Sequence, residues 1–140
     1  MQEKIIVDTG PLVSYLNRND RCHEWTLKLF AQLYPPFYTC ESVISEACFL
    51  LMHHKQGTAN LLALVERGLV RLSFNAEEEM TAVKMMLNKY QNIPMSFADA
   101  CLVRMSEQIS HSVIVTLDSD FKIYRKFKRN MIPTLMPDNI

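Results

Sequence analysis

Glycine is scarce in this chain: there are three in 140 residues. Loops that cradle a phosphate group need glycine at several neighbouring positions, so that backbone N–H groups can approach it. No such loop exists here, which excludes P-loop and dinucleotide-binding folds. The four cysteines (Cys22, Cys40, Cys48 and Cys101) are widely spaced and form no Cys-x-x-Cys pair. They fit neither a disulfide framework nor a structural zinc site. Cys48 and Cys101 fall inside apolar helical patterns and read as small buried thiols, with a reducing cytoplasm as the expected location. No apolar run nears the roughly 20 residues that a membrane helix needs. The start runs almost at once into a strand-like Ile5-Ile6-Val7 and lacks the layout of a signal peptide. Net charge is missing too: 15 basic residues balance 15 acidic ones, without the basic excess of many nucleic-acid binders.

What remains is an ordinary globular composition, in a length that suits one domain over residues 1–140. Residues 4–7 read as a short buried strand, followed by a helix with Pro11 in its first turn that runs to about Leu16. After the polar loop 17–21, the segment from His23 is amphipathic, with Trp25, Leu29 and Leu33 at every fourth position, until Pro35 and Pro36 stop it. Residues 37–39 make a second strand. The next helix carries Val43, Ile44, Ala47, Cys48, Leu50 and Leu51 on one broad face. A short helix between Gly57 and Gly68, a third strand over 69–74 and a helix over 76–90 follow, the last with Met80, Val83, Met86, Leu87 and Tyr90 inward. Ser96 opens another helix. Residues 112–117 are the strongest strand, followed by a short basic helix and a terminal strand, MIPTLM. Alternating strands and helices predict an α/β fold: three layers, α/β/α, around a central parallel sheet of four to five short strands.

Four stretches carry an acid where an apolar run meets its polar end: IIVDTGPL (Asp8), SVISEACFLL (Glu46), MSFADACLV (Asp99) and VIVTLDSDF (Asp118, with Asp120). Acids are seldom buried without compensation. In a parallel sheet, ligands bind outside the carboxyl ends of the strands, where strand order reverses. Asp8 and Asp118 end strands, and Glu46 and Asp99 are expected in the first turns of helices. The alternation of elements brings all four to one edge. Each also has a purely structural role open to it. Asp8 and Asp118 can cap the helices that follow them, and Asp99 stands three residues after Ser96 at capping-box spacing. Glu46, beside Val43, Phe49 and Leu50, has no such role and no evident cationic partner. An Asp-Thr-Gly after an apolar run also occurs in aspartic proteases, but those are all-β with glycine-rich flaps, and this chain is mostly helical in pattern. The histidines make poor ligands: His53 and His54 are adjacent and point to different sides of a helix, and His23 reads as a packing or polar-face residue.

The ordered set resembles the PIN domain of VapC-type toxin ribonucleases. The opening VDTGPLVSYLNRNDRCHEW matches that family's strand, acid, short helix, polar loop and His-containing helix. SVISEACFLL, SFADACLV and VTLDSDF match its second, third and closing acids, over nearly the whole length. The resemblance implies a metal-dependent endoribonuclease that hydrolyses RNA to a 5′-phosphate and a 3′-hydroxyl, with Asp8, Glu46, Asp99 and Asp118 as the catalytic acids. Asp8, Asp99 and Asp118 would be metal ligands, Asp120 an accessory, and Thr116 a hydroxyl that steadies the cluster. All-oxygen ligation favours Mg²⁺ or Mn²⁺ over zinc. The alternative is a catalytically silent RNA- or protein-binding module of the same fold. The acids repel phosphate, so cations must help. If residues 122–129 are helical, Lys122, Arg125, Lys126 and Arg129 fall on one RNA-facing side, with Ile123 and Phe127 toward the core. The resemblance further implies a homodimer and a small antitoxin protein as partners. The apolar richness of Phe49, Leu50, Leu51, Met52, Leu61, Leu62 and Leu64 supports the homodimer.

Overall fold

The computed structural model describes residues 2–139. The elements run β1 (Lys4–Val7), α1 (Thr9–Leu16), α2 (His23–Gln32), β2 (Phe37–Thr39), α3 (Glu41–Leu51), α4 (Gly57–Glu66), β3 (Val70–Leu72), α5 (Met80–Lys89), α6 (Phe97–Gln108) and β4 (Ser112–Val115). A 3₁₀ turn (Ser119–Lys122) leads to β5 (Arg125–Lys126), β6 (Asn130–Met131) and β7 (Thr134–Leu135). Five strands form a parallel sheet in the order β3-β2-β1-β4-β7, and β5 and β6 make a separate antiparallel pair.

Ile5, Ile6 and Val7, and all four residues of β4, are buried in succession. Successive strand residues point to opposite faces, so both faces of the sheet are covered, as a three-layer α/β/α arrangement requires. Among the helices, α6 brings Ala98, Ala100, Cys101, Leu102, Val103 and Met105 to the core, while α3 brings Val43, Ala47 and Leu51. The chain builds outward from β1 through β2 to β3, then returns to place β4 on the other side of β1. Strand order therefore reverses between β1 and β4. Their register pairs Val7 with Val115, so Asp8 and Thr116 emerge side by side at the carboxyl edge.

Several elements differ from expectation. The segment 122–129 is not a helix. Phe121 and Tyr124 are fully buried in edge contact, with ring centroids 5.2 Å apart. Their spacing of three suits a single 3₁₀ turn. Phe127 and Lys128 then both take positive φ, at 51° and 69°, which ends any helix. Lys122, Arg125, Lys126 and Arg129 consequently do not share a helical face, and Ile123 and Phe127 are exposed rather than in the core. Glu46 stands in the second turn of α3, not the first. Leu50 of that helix is exposed and Cys48 half-buried. The helix over 76–90 is shorter, with Met80 exposed at its start. On α2 the buried residue is Thr26, while Trp25, Leu29 and Leu33 are half-buried. The terminal strand divides into β6 and β7, because Pro133 between them has no N–H for a ladder.

Candidate active site

Asp8 is the N-cap of α1 and is almost wholly buried. Its Oδ1 accepts from the backbone N–H of Thr9 at 2.7 Å, and its Oδ2 accepts from the Thr116 hydroxyl at 2.7 Å. The same hydroxyl oxygen accepts from the backbone N–H of Asp118 at 3.0 Å. A relay thus runs from Asp118 through Thr116 to Asp8. Asp118 in turn caps the 3₁₀ turn, its Oδ1 accepting from the N–H of Asp120 at 2.9 Å. Asp120 lies half-buried beside it.

Asp99 is held by a complete capping box. Its backbone N–H donates to Ser96 Oγ at 3.0 Å, and its Oδ2 accepts from the Ser96 N–H at 3.3 Å. The buried Tyr124 hydroxyl donates to the same Oδ2 at 3.1 Å. Oδ1 of Asp99 takes no part in these bonds. Sequence reading missed Tyr124, and its signal was slight: a second aromatic three residues after Phe121, close behind two aspartates. Glu46 sits at the rim, exposed to solvent, with Oε2 accepting from the Thr9 hydroxyl at 3.3 Å. The proposed structural roles are therefore real for three of the acids. Each caps its element, and a carboxylate's two oxygens carry about four acceptor positions, so capping leaves capacity to spare.

The electrostatics single out Asp8. Burial, with the charges of Asp99 and Asp118 nearby, pushes its carboxyl from 3.8 up to about 7, against the lowering effect of its hydrogen bonds to Thr116 and Thr9. Burial also raises Asp99, as does the charge of Asp118, against the bonds from Ser96 and Tyr124. Burial raises the Tyr124 hydroxyl, with a further contribution from Asp99. Three carboxylates thus lie close enough to repel one another where two of them are hidden from water. Such a cluster is suited to a cation, and its donors are all hard oxygens. Among the described residues no three acid, histidine or cysteine side chains converge tightly enough to hold an ion directly. Mg²⁺ commonly keeps several waters and takes one or two carboxylates, so the looser cluster fits it. The predicted RNA-facing residues scatter: Arg125 and Lys126 are half-buried in β5, Lys122 ends the 3₁₀ turn and Arg129 lies in the hairpin loop.

No family model matches the chain, and no curated protein matches it. Among solved structures it is similar to VapC20 of Mycobacterium tuberculosis, a toxin that cleaves the sarcin-ricin loop, with 24% identity and a TM-score of 0.72. The match covers 86% of this chain and 94% of that one. That likeness, over most of both chains, makes this the PIN-domain fold.

Proposed function

We propose that the protein is a metal-dependent endoribonuclease of the VapC toxin type, acting in the cytoplasm as a homodimer and restrained by a small antitoxin protein. One observation carries the reading. Asp8 lies buried and capped at the β1–β4 switch point, with Asp99 and Asp118 close enough to raise its pKa. A structural cap gains nothing from such company, whereas a cation site does.

Asp8, Asp99 and Asp118 would hold Mg²⁺ or Mn²⁺ directly or through water. When bound, that ion supplies a more acidic water and neutralises charge developing on the phosphodiester. The Thr116 hydroxyl fixes the rotamer of Asp8 and, by accepting from the Asp118 N–H, the backbone of Asp118, whose side chain is held by the N–H of Asp120. Tyr124 and Ser96 fix Asp99. Glu46, with no capping duty, is assigned the task of taking a proton from the attacking water. Asp120 steadies Asp118 through its backbone.

A second reading has support of its own, since Asp8, Asp99 and Asp118 all serve as caps, as a silent binding module would also require. Purified protein incubated with structured RNAs in Mn²⁺ separates the two. Cleavage that stops in chelator, leaves 5′-phosphate ends and is lost in Asp8→Asn is expected. Strong cleavage by metal-stripped protein, or none in any metal, defeats the nuclease reading.

A further inference from the structure

A cavity of about 580 Å³ lies apart from the acids, walled by α5, α6 and the β5–β6 hairpin. That volume is in the range of ligand pockets, roughly 300–1,000 Å³. Its apolar surfaces come from Met85, Met86, Phe127 and the edge of Tyr90. Met85 and Phe127 are each 56% exposed, so neither is there to fill the core. The charge around the cavity is uneven. Arg104 is paired with Glu79 at 2.7 Å and Glu107 at 3.0 Å. Lys89 and Arg125 donate to backbone carbonyls and keep their charge, and with Lys128 they also line the wall and leave it positive.

The hairpin tip is built to present Phe127. Its backbone and that of Lys128 hold the left-handed region, which bulky residues rarely adopt. Two bonds pin them there. The Phe127 N–H donates to Glu107 Oε2 at 2.6 Å, and Lys89 Nζ donates to the Lys128 carbonyl at 3.1 Å. The cavity is also coupled to the acids. The Arg125 N–H donates to the Tyr90 hydroxyl at 2.9 Å, the Tyr90 ring meets that of Tyr124 at 5.2 Å, and Tyr124 bonds Asp99. Along α6, Arg104 and Glu107 lie five and eight residues beyond Asp99, about 7 to 12 Å at the helical rise. That is one to two nucleotide steps along a single strand.

We propose that this cavity is a subsite for an unpaired nucleotide of the RNA substrate, its base stacked on Phe127 between the methionines and its phosphate among Lys89, Arg125 and Lys128. An exposed aromatic beside excess cations is the chemistry by which single-stranded nucleic acid is held without base pairing. The proposal rests on the ribonuclease reading, and its test is separable from it.

Binding is measured by fluorescence anisotropy in the Asp8→Asn protein, so that nothing is cut. One probe is a labelled 12-mer of riboadenosine, and the other an abasic ribose-phosphate 12-mer of equal charge. The protein should bind the base-bearing strand about tenfold more tightly. Phe127→Ala should erase most of that preference without moving the melting temperature, and Phe127→Trp should restore it. Lys89→Gln with Lys128→Gln should weaken both strands and flatten the salt dependence. In the active protein, Phe127→Ala should raise KM for RNA with kcat nearly unchanged. Equal binding of both strands by Phe127→Ala and its parent overturns the subsite, even where RNA is cleaved. A complete lack of cleavage in every metal, with the base preference intact, sinks the nuclease reading alone. An acidic leucine-bearing peptide that binds through Phe127, while RNA binding ignores that residue, would make the occupant a protein and overturn the proposal.

Discussion

Asp8 concentrates the conflict between folding and chemistry in one side chain. Its carboxyl is raised in the folded state from 3.8 to about 7, so between those values the folded protein binds more protons than the unfolded one. Stability contributed by this group therefore falls as pH climbs from about 4 to about 7. The gap bounds the cost at roughly 4 kcal/mol. Metal-free protein should melt at a higher temperature at pH 5 than at pH 8, and Asp8→Asn should flatten that slope. The substitution should also abolish cleavage and stabilise the metal-free protein at neutral pH by on the order of 1 kcal/mol. That is less than the bound because the amide must reverse the bond with Thr116. A loss of stability with cleavage retained would mean Asp8 is only a cap. Tyr124→Phe offers a finer probe. Removing a donor to Asp99 lifts a pKa that the hydroxyl now holds down, so the pH of half-maximal activity should move upward. Stability should drop by about 1 kcal/mol. A pH profile unmoved by the loss of the hydroxyl would sever Tyr124 from the site.

At the scale of elements, α6 owes its aim to its first turn. Ser96→Ala removes one half of the capping box and should cost about 1 kcal/mol in thermal melts. Activity should fall less than in Asp99→Asn, because the bonds to Asp99 Oδ2 survive; equal loss in both would show that Ser96 contributes more than aim. The positions of Asp8, Asp99 and Asp118 could be read from sequence because each marks a change of element, where the periodicity switches. Only the resemblance points to Thr116, whose hydroxyl does meet Asp8. The hairpin could not be read. The charge spacing of i, i+3, i+4 and i+7 predicts a helix, but burial of the Phe121 and Tyr124 rings outweighs the alignment of four cations. Glu46 lies one turn further into its helix than the sequence predicts, because α3 begins at Glu41.

At the scale of the whole molecule, a second apolar region lies uncovered, besides the one that holds Phe127. Phe49, Leu50 and Met52 at the end of α3, with Leu62 of α4, are 43% to 69% exposed, whereas Leu51 and Leu61 between them are sealed in the core. Exposed apolar side chains of this kind are what the proposed homodimer would cover. Light scattering at tens of micromolar should give a dimer, and Phe49→Glu with Leu50→Glu should give a folded monomer; a wild-type monomer at that concentration would count against the pairing. If Mg²⁺ is held by the assembled acids, as proposed, it should raise the melting temperature of the wild type more than that of Asp8→Asn. No helix among the described residues is long and apolar enough to cross a membrane. The bond from Thr116 to Asp8 spans 108 positions of sequence, so it forms only after β4 has been made. During synthesis, then, the acids at positions 8 and 46 leave the ribosome well before their partners at 99 and 118. If the ribonuclease reading holds, a nascent chain that stops short of β4 lacks Asp118 and Thr116, so it would be inert until nearly all of it had been translated.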